Sequence, residues 1–243
     1  MANVLITGVS EGIGFALAMR HLTMGDRVVG LARRYPKALE KYENFTFISC
    51  DFKERIQVNS VLESSLLIWQ EEGFSTVYLN AGMSGEAPKL ALNTSFEDVN
   101  EVLLVNALVN KALLDWLLSC ASKPSVVVVS ASIAGQRYRA GMLAYSMSKA
   151  ALEALCGVYA QEHKDVFFAV LGMCNVFTNL SENIINHPNV NDFEAHVQLR
   201  NRFNDDGYAV SAEQRADDVI NIVNRRTSLL TSGVFSEVRA LLP

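Results

Sequence analysis

The chain has few cysteines and few histidines among its 243 residues, and neither set forms a recognisable pattern. Cys50, Cys120, Cys156 and Cys174 show no paired spacing, which argues against a disulfide framework and favours reduced, mostly buried thiols in a cytoplasmic protein. The four histidines are scattered and form no HExxH pattern, so the sequence predicts no metal site.

Long apolar runs and excess positive charge are also lacking. No run approaches the ~20 residues that a membrane span requires, and no basic segment precedes the apolar residues 4–6, so we expect neither a membrane helix nor a signal peptide. The net charge of −5 gives no general attraction to nucleic acid or to an acidic membrane. Linkers, repeats and low-complexity segments are absent, and half of the residues are hydrophobic, which predicts one domain over residues 1–243.

Short apolar, β-branched runs alternate along the chain with longer segments of helical spacing. The uninterrupted valines at 126–129 are typical of a parallel strand that is covered on both faces. The alternation predicts an α/β fold, a Rossmann-type doubly wound parallel sheet of about seven strands with helices on both faces. Strands are predicted at residues 4–6, 27–31, 45–48, 76–79, 125–129, 166–171 and near 233–238, and helices at 12–24, 55–71, 96–120, 144–163 and 212–225.

Residues 174–210 interrupt this alternation with a polar, irregular, Asn-rich segment that contains two short helical pieces. A long excursion of this kind is often a lid or a binding loop. It follows the sixth strand and therefore leaves the carboxyl edge of the sheet, where ligands of open α/β sheets bind. We expect it to line the substrate site and to be the most mobile part of the protein, because its few large apolar residues leave little to bury.

A glycine-rich segment, TGVSEGIG at Thr7–Gly14, follows the first predicted strand. Its glycines permit a tight turn and the close approach of a pyrophosphate, and the N-terminus of the next helix supplies free N–H groups and partial positive charge. A simple tight turn would produce the same pattern. The expected dinucleotide contacts here are Gly8, Ser10, Gly12, Ile13 and Gly14.

The second predicted strand is followed by Arg33 and Arg34, where a cofactor with a free ribose 2′-hydroxyl usually meets an acidic residue. A guanidinium can instead bind a 2′-phosphate through two charge-assisted hydrogen bonds. The pair therefore predicts NADP(H) over NAD(H). The alternative is that the two arginines are a solvated surface pair. The negative charge of Glu11 argues against NADP(H), because it would lie near the same phosphate.

Tyr145 and Lys149 are four residues apart, the spacing that brings two side chains to one face of a helix. A free tyrosine has a pKa near ~10, too high for an efficient acid–base catalyst at neutral pH, and a neighbouring ammonium together with an oxidised nicotinamide would favour the phenolate. Such pairs also occur by chance as surface contacts. Combined with the glycine-rich segment, this pair indicates a nicotinamide-dependent oxidoreductase.

In combination, these motifs resemble the short-chain dehydrogenase/reductase family, from residue 2 to about 178 and more loosely to the end. Thr7–Gly14 is similar to TGxxxGIG of its compact branch, Asn80–Gly82 to NAG, and Tyr145–Lys149 to YxxxK. Ser132, thirteen positions before Tyr145, has the spacing of the family's active serine, and Asn106 matches the asparagine of its long fifth helix.

The resemblance implies a role for each of these residues. Tyr145 would be the general acid and base, and Ser132 would donate a hydrogen bond to the substrate oxygen. Lys149 would also hold the nicotinamide ribose, and Asn106 would anchor a water that relays protons to it. Taken singly, Ser132 would also suit a strand-end turn, and Asn106 the polar side of a helix. The further implied cofactor contacts are Asp51, Asn80, Ala81, Gly82, Val176 and Thr178, besides Tyr145 and Lys149.

The chain departs from the family's pattern in two places. Met173–Cys174 stands where the family usually has Pro-Gly, a departure that concerns the backbone path before Val176 and Thr178. The common Gly-Gly tail is also lacking, which weakens the case for a housekeeping ketoreductase of carrier-bound acyl groups.

We therefore expect an NADPH-dependent enzyme that transfers hydride to a ketone or aldehyde carbonyl of a small molecule, reversibly. One alternative is a ketoreductase of carrier-bound 3-oxoacyl groups, which would need a basic docking patch. Another is a nucleotide-binding regulator without catalysis. The expected lining of the substrate pocket is Met83, Ser84, Arg137, Tyr138, Met142, Leu143 and the excursion at 174–210.

A homodimer or homotetramer is also expected. The predicted helices at 96–120 and 144–163 carry more apolar side chains than one face of a sheet can cover, and in the family these helices pair across a two-fold axis. The side chains are Leu103, Leu104, Leu113, Leu114, Leu117, Leu152, Leu155 and Val158. The alternative is that all of them pack against the protein's own sheet.

Overall fold

Seven parallel strands form the centre of the protein in a computed structural model that describes residues 1–242. The last residue of the predicted domain, Pro243, lies outside the described residues. The strands are β1 (Asn3–Thr7), β2 (Arg27–Ala32), β3 (Phe45–Ser49), β4 (Thr76–Leu79), β5 (Val126–Ala131), β6 (Phe167–Gly172) and β7 (Phe235–Glu237). Their order is β3-β2-β1-β4-β5-β6-β7, so successive strands extend the sheet first to one side of β1 and then, from β4 onward, to the other. This is a doubly wound sheet, and the predicted Rossmann-type fold is confirmed.

Nine α-helices surround the sheet within the described residues. They are α1 (Gly12–Thr23), α2 (Arg55–Ser60), α3 (Phe96–Leu103), α4 (Val109–Ser119), α5 (Leu143–Glu162), α6 (Asn179–Ile185), α7 (Glu194–Arg202), α8 (Ala212–Asn224) and α9 (Arg226–Leu229). The two faces of the sheet are covered by different helices. The layer on one face includes side chains of α1 and α8, and the layer on the other includes side chains of α4 and α5.

The valines of β5 illustrate why this sheet is buried on both faces. Successive side chains of a strand point to opposite faces. Val127 and Val129 accordingly belong to the layer of α4 and α5, whereas Val126 and Val128 belong to the layer of α1 and α8. All four are at most 2% exposed.

The predicted helix at 55–71 is not continuous. It is regular only in α2, and a π-helical turn at Val61–Ser65 and a 3-10 turn at Leu67–Trp69 follow. The Ser64 hydroxyl donates to the carbonyl of Ser60, a side-chain bond of the kind that competes with regular helical geometry. Hydrophobic spacing correctly predicted that a helical segment begins at residue 55, but it did not predict the irregular turns of the second half.

The predicted helix at 96–120 contains a π-helical turn at Leu104–Leu108, between α3 and α4. Such turns are frequent at functional sites, and this one carries Asn106. The whole span Phe96–Ser119 has the length and apolar composition of a membrane helix, so the expectation that no segment has them was wrong. However, 56% of its apolar window is buried inside the fold, as in the core helix of a globular protein.

The same helices bury more of their apolar surface than predicted. Leu113, Leu114, Leu117 and Leu152 are buried in the protein's own core, so the expectation that the sheet face could not cover them was wrong for these four. Leu103, Leu104 and Leu155 are half-buried. Exposed apolar side chains on these helices include Leu108 (47% exposed), Met147 (45%) and Val158 (56%).

The excursion at 174–210 is more ordered than its composition suggested, since it contains α6, a 3-10 turn at Pro188–Asp192 and α7. The expectation that it has little to bury was wrong. Ile184 packs with Ala87 and Met142, and Ile185 packs with Phe203, in two small clusters separate from the main core.

We still expect this excursion to exchange its backbone amide hydrogens faster than the sheet does, because small separate clusters open at a lower free energy than the main core. Binding of NADPH together with a substrate analogue should slow that exchange, since a closed segment excludes water from the site. Hydrogen exchange followed by mass spectrometry tests this. Equal protection with and without ligand would mean that the excursion is a fixed wall.

Candidate active site

A cleft of about 670 Å³ opens at the carboxyl ends of the strands, as expected for an open α/β sheet. Nearly all of the predicted cofactor residues line it: Gly8, Ser10, Gly12, Ile13, Arg33, Arg34, Asp51, Asn80, Ala81, Gly82, Tyr145, Lys149, Val176 and Thr178. Gly14 is the exception, and it lies behind the lining.

Gly14 allows α1 to pack tightly against the turn that follows β1. A Cβ atom at this position would lie 2.3 Å from the carbonyl oxygen of Gly8, closer than real Cβ contacts come. Gly8 itself has φ +79°, in the left-handed region that side chains disfavour. The sequence predicted this tight turn correctly, but Gly14 serves the packing of the turn rather than the surface of the cleft.

The N-terminus of α1 opens into the cleft and suits a phosphate group. The side chain of Glu11, the N-cap residue of α1, makes no capping hydrogen bond to the first turn. Its carboxylate instead lies 2.5 Å from a guanidinium nitrogen of Arg34. The first N–H groups of the helix therefore remain available to an anion. Across the cleft, a Cβ on Gly12 would lie 3.3 Å from Thr178 Cγ2, so the glycine keeps this passage open. These features fit a dinucleotide.

Side-chain hydrogen bonds fix the ends of β1, β4 and β5 relative to one another. Thr7 Oγ1 accepts hydrogen bonds from the backbone nitrogens of Asn80 (2.9 Å) and Ala81 (3.0 Å). Ser130 Oγ in turn donates to Asn80 Oδ1 at 3.1 Å. The sequence analysis assigned no role to Thr7 or Ser130. Their signal was a hydroxyl residue at the end of a buried strand.

Lys149 is buried on α5, and its ammonium is aimed at the end of β5. Its Nζ donates to the carbonyl oxygen of Ser130 at 2.7 Å and lies 5.6 Å from the ring centroid of Tyr145. Burial lowers the pKa of Lys149 to about 8, against the opposing influence of Glu153 and Cys156. The predicted pairing of Tyr145 and Lys149 on one face of a helix is present.

Burial raises the pKa of Tyr145, and the nearby side chain of Ser132 only partly offsets that effect. In the protein alone, desolvation of the hydroxyl thus outweighs the other influences on this pKa. Tyr145 therefore holds its proton at neutral pH, which suits a proton donor. The expected preference for the phenolate also required the positive charge of an oxidised nicotinamide beside Lys149, and it stays a prediction.

Asn106 is fully buried and lies behind the cleft instead of lining it. Its Oδ1 accepts from the Met83 backbone nitrogen at 2.8 Å, and its Nδ2 donates to the Met83 carbonyl at 2.8 Å and to Ser148 Oγ at 2.9 Å. Ser148 Oγ donates to the carbonyl of Tyr145 at 2.8 Å. Asn106 thus connects the loop after β4 to the helix that carries Tyr145, through a serine that the sequence analysis missed.

Cys174 adopts φ +57°, the only left-handed residue other than glycine within residues 1–242. It stands at the position where the sequence departs from the family's Pro-Gly. This conformation costs a residue with a side chain about 1–2 kcal/mol. Val176 nevertheless pairs with Val210 in an isolated parallel bridge, and Thr178 Oγ1 accepts from the Ser181 backbone nitrogen as the cap of α6.

The substrate side of the cleft was predicted only in part. Met83, Arg137 and Met142 line it. Tyr138 is instead 77% exposed on the outer surface, and Leu143 is also exposed outside the cleft. Ser84 is buried, with its hydroxyl donating to the carbonyl of Gly85. The excursion at 174–210 lines the cleft as expected, with His196, Arg202 and Tyr208 among its contributions, whereas Arg139, Glu237 and Arg239 were not predicted.

Comparison with known proteins agrees with this geometry in indicating an oxidoreductase built on a dinucleotide-binding sheet. The chain belongs to the short chain dehydrogenase family, whose profile matches residues 2–187.

Two curated relatives are reductases. The NADPH-dependent 3-dehydrocapnine reductase of Ornithobacterium rhinotracheale is 29% identical over 172 residues, which are 67% of this chain and 60% of that protein. This chain therefore spans less than two thirds of that relative. The NADPH-dependent pterin aldehyde reductase of Arabidopsis thaliana is 30% identical over 169 residues, 66% of this chain and 68% of that protein. The crystal structure of the KRED1-Pglu enzyme has a TM-score of 0.83 at 18% identity, covering 97% of this chain and 100% of that one, and shows the shared fold.

Proposed function

We propose that this oxidoreductase uses NADPH to reduce the carbonyl group of a ketone or aldehyde, and that it also catalyses the reverse oxidation, with Tyr145 as general acid and base. The observation that carries the proposal is that Tyr145 and Lys149 both line the cleft, with the buried Lys149 ammonium 5.6 Å from the Tyr145 ring. Both relatives described above are named as NADPH-dependent reductases, which supports the cofactor and the direction. We also treat residues 1–243 as one domain, because all seven strands belong to one sheet.

Bound NADPH would supply the hydride, and the chain's own residues would manage the charge that develops on the substrate oxygen. Ser132, just after β5, and Tyr145, in the first turn of α5, line the cleft and would donate hydrogen bonds to that oxygen. Tyr145 keeps its proton until this moment because burial raises its pKa, and it would then transfer the proton to the oxygen. The ammonium of Lys149 would stabilise the tyrosinate that is left.

The cofactor would lie between the turn after β1 and Thr178, with its ribose phosphate near Arg33 and Arg34. These two arginines are not equivalent. Arg34 is paired with Glu11, whereas Arg33 has no ion-pair partner in the described part of the chain. Arg33 is therefore the better candidate for the 2′-phosphate, and Glu11 competes for Arg34.

Arg33→Ala should weaken NADPH binding by about tenfold to a hundredfold and leave NADH binding nearly unchanged, because a charge-assisted contact to the phosphate is lost. Glu11→Gln should strengthen NADPH binding, since it frees Arg34 from its ion pair. Fluorescence titration of each variant with NADPH and NADH measures both effects. Equal affinity of the wild type for the two cofactors would contradict the assignment.

The reaction itself can be tested by following NADPH oxidation at 340 nm with carbonyl compounds of graded size, from a small diketone to methyl 4-formylbenzoate. We expect turnover with at least one of them. Binding of NADPH without oxidation of any carbonyl compound would favour a nucleotide-binding regulator.

We propose that the protein forms at least a homodimer through the outer surface of α4 and α5. Leu108, Met147 and Val158 leave apolar area open there, although less than the sequence suggested. Light scattering at micromolar protein should give at least twice the mass of the 26.8 kDa chain. Met147→Glu combined with Val158→Glu should reduce that mass to one chain, and a wild type already monomeric would contradict the proposal.

A further inference from the structure

The charge of the cleft is opposite to that of the chain. The protein has a net charge of −5, yet eight Lys or Arg residues and only three Asp or Glu residues line the cleft. The cations are Arg33, Arg34, Lys53, Arg137, Arg139, Lys149, Arg202 and Arg239. Such a local excess of positive charge raises the concentration of anions in the cleft.

Apart from the buried Lys149, the cations form two groups on opposite sides of the switch point between β1 and β4. Arg33, Arg34 and Lys53 follow β2 and β3. The second group, which we call the arginine quartet, consists of Arg137, Arg139, Arg202 and Arg239, from the segments after β5, β6 and β7. Since adjacent strands are ~4.8 Å apart, β2 and β6 are separated by ~19 Å. A phosphate held by the first group is therefore not the partner of the quartet.

Tyr208 contacts two arginines of the arginine quartet directly. The guanidinium carbon of Arg202 is 4.4 Å from the Tyr208 ring centroid, and that of Arg239 is 5.7 Å from it. Arg239 also donates to the backbone carbonyl of Tyr208 at 2.7 Å. Tyr208 is also near enough to Arg139 to influence the pKa of the Arg139 guanidinium. Three segments that are distant in the sequence thus bring guanidinium groups to one tyrosine.

A buried histidine holds two of these segments together. His196 of α7 is 1% exposed, and its Nε2 lies 3.1 Å from the carbonyl oxygen of Ala140, next to Arg139. The helix that carries His196 ends at Arg202. The turn with Arg137 and Arg139 is therefore fixed against the helix with Arg202 by an interior contact.

The arginine quartet lacks counter-ions within residues 1–242, because none of its members forms an ion pair there. Of the three acidic residues in the cleft, Glu11 is paired with Arg34, and Asp51 follows β3 on the other side. The third, Glu237, ends β7 on the side of the quartet but forms no ion pair with any of its four arginines within residues 1–242. Burial and the neighbouring Arg137 lower the pKa of Arg139, as expected for cations held close together. An anion that enters the cleft would relieve this repulsion.

We propose that the substrate carries, besides the reacting carbonyl, an anionic group in the form of a carboxylate or a phosphate ester, which the arginine quartet binds. The proposal rests on the carbonyl-reductase function proposed above and specifies its substrate class. Guanidinium groups bind both kinds of anion through paired, charge-assisted hydrogen bonds. The same group would orient the carbonyl toward Tyr145 and Ser132, which line the same cleft.

The kinetic test compares three aldehydes that share one ring: 4-carboxybenzaldehyde, 4-formylphenyl phosphate and neutral methyl 4-formylbenzoate. The wild type should have a kcat/KM at least about tenfold higher for an anionic aldehyde than for the ester, the size expected for one charge-assisted contact. The anionic aldehyde with the larger preference identifies the carboxylate or the phosphate as the group recognised. Added NaCl should reduce the preference, because it screens exposed charges.

The variant of choice is Arg137→Gln with Arg202→Gln, since both side chains are exposed and their loss should not disturb folding. It should reduce the preference for the anionic aldehyde by at least about tenfold. The matched control is Arg225→Gln, which removes an exposed arginine outside the cleft. Loss of the preference in the control, or equal kcat/KM for all three aldehydes in the wild type, would overturn the proposal while leaving carbonyl reduction intact.

A binding measurement keeps the test independent of turnover. Benzoate and phenyl phosphate, titrated calorimetrically into the protein with saturating NADP, should bind to the wild type and bind at least about tenfold more weakly to the double variant. If no aldehyde is reduced but this difference is found, the reductase function fails and the anion site stands. If the double substitution weakens NADPH binding and not anion binding, the quartet serves the cofactor and the proposal is wrong.

Discussion

Tyr145→Phe should lower kcat by about 10²–10⁴-fold while the Kd of NADPH stays nearly unchanged, because the substitution removes only the hydroxyl that transfers the proton. The ring remains in the cleft and can still pack beside the ammonium of Lys149. Steady-state kinetics give kcat, and fluorescence titration gives the Kd. A variant that retains more than a tenth of the wild-type kcat would contradict the assignment of Tyr145 as general acid.

Tyr138→Phe is the matched control for this substitution. Tyr138 lies seven residues earlier, outside the cleft, and is 77% exposed. Loss of its hydroxyl should leave kcat within about twofold, because surface substitutions away from a site change little. A similar loss in both variants would point to a general effect of the substitution rather than to proton transfer.

Lys149→Met should damage both kcat and NADPH affinity, because its ammonium has two proposed roles, at the tyrosinate and at the cofactor. Methionine is close to lysine in size, so the cleft should remain packed. However, the Ser130 carbonyl would lose the donor that now lies 2.7 Å away. The combined effect on kcat/KM should exceed that of either role alone, at about 10³-fold or more. Lys164→Met, on the surface just beyond α5, is the control.

The pH dependence of kcat/KM should reflect the titration of Lys149. Burial lowers its pKa to about 8, so the charged form is present below that pH and is lost as the pH rises through it. The wild-type kcat/KM should therefore fall above about pH 8, and this fall should be absent in Lys149→Met. A wild-type profile that is flat from pH 7 to ~9.5 would contradict the role of the ammonium, since the profile of kcat/KM reports groups of the free enzyme.

The strands and the proximity of Tyr145 and Lys149 were predictable because their signals are local. A run such as that at 126–129 needs only the alternation of side chains to predict a doubly covered strand. Likewise, Tyr145 and Lys149 share a face because one helix carries both. The turn at Thr7–Gly14 is local too, and every one of these predictions agrees with the structure of the chain.

The parts that were missed depend on which segments meet in space. The leucines at 113, 114 and 117 are apolar whether a partner chain or the protein's own sheet covers them, so composition could not distinguish the two. The role of Asn106 required the knowledge that its amide reaches Met83 across the fold. The arginine quartet is a similar case, because its members are scattered over a hundred residues and meet only through the order of β5, β6 and β7.

The order of the strands also governs when the cleft can form. β1 lies between β2 and β4, so β1 acquires its second neighbour only after Leu79 has been made. The cleft is also lined by Glu237, the last residue of β7, and by Arg239 just after it. Because these contacts join remote parts of the sequence, they form late and slowly in folding. Ligands of this cleft would therefore stabilise only chains in which the sheet from β1 to β7 has formed.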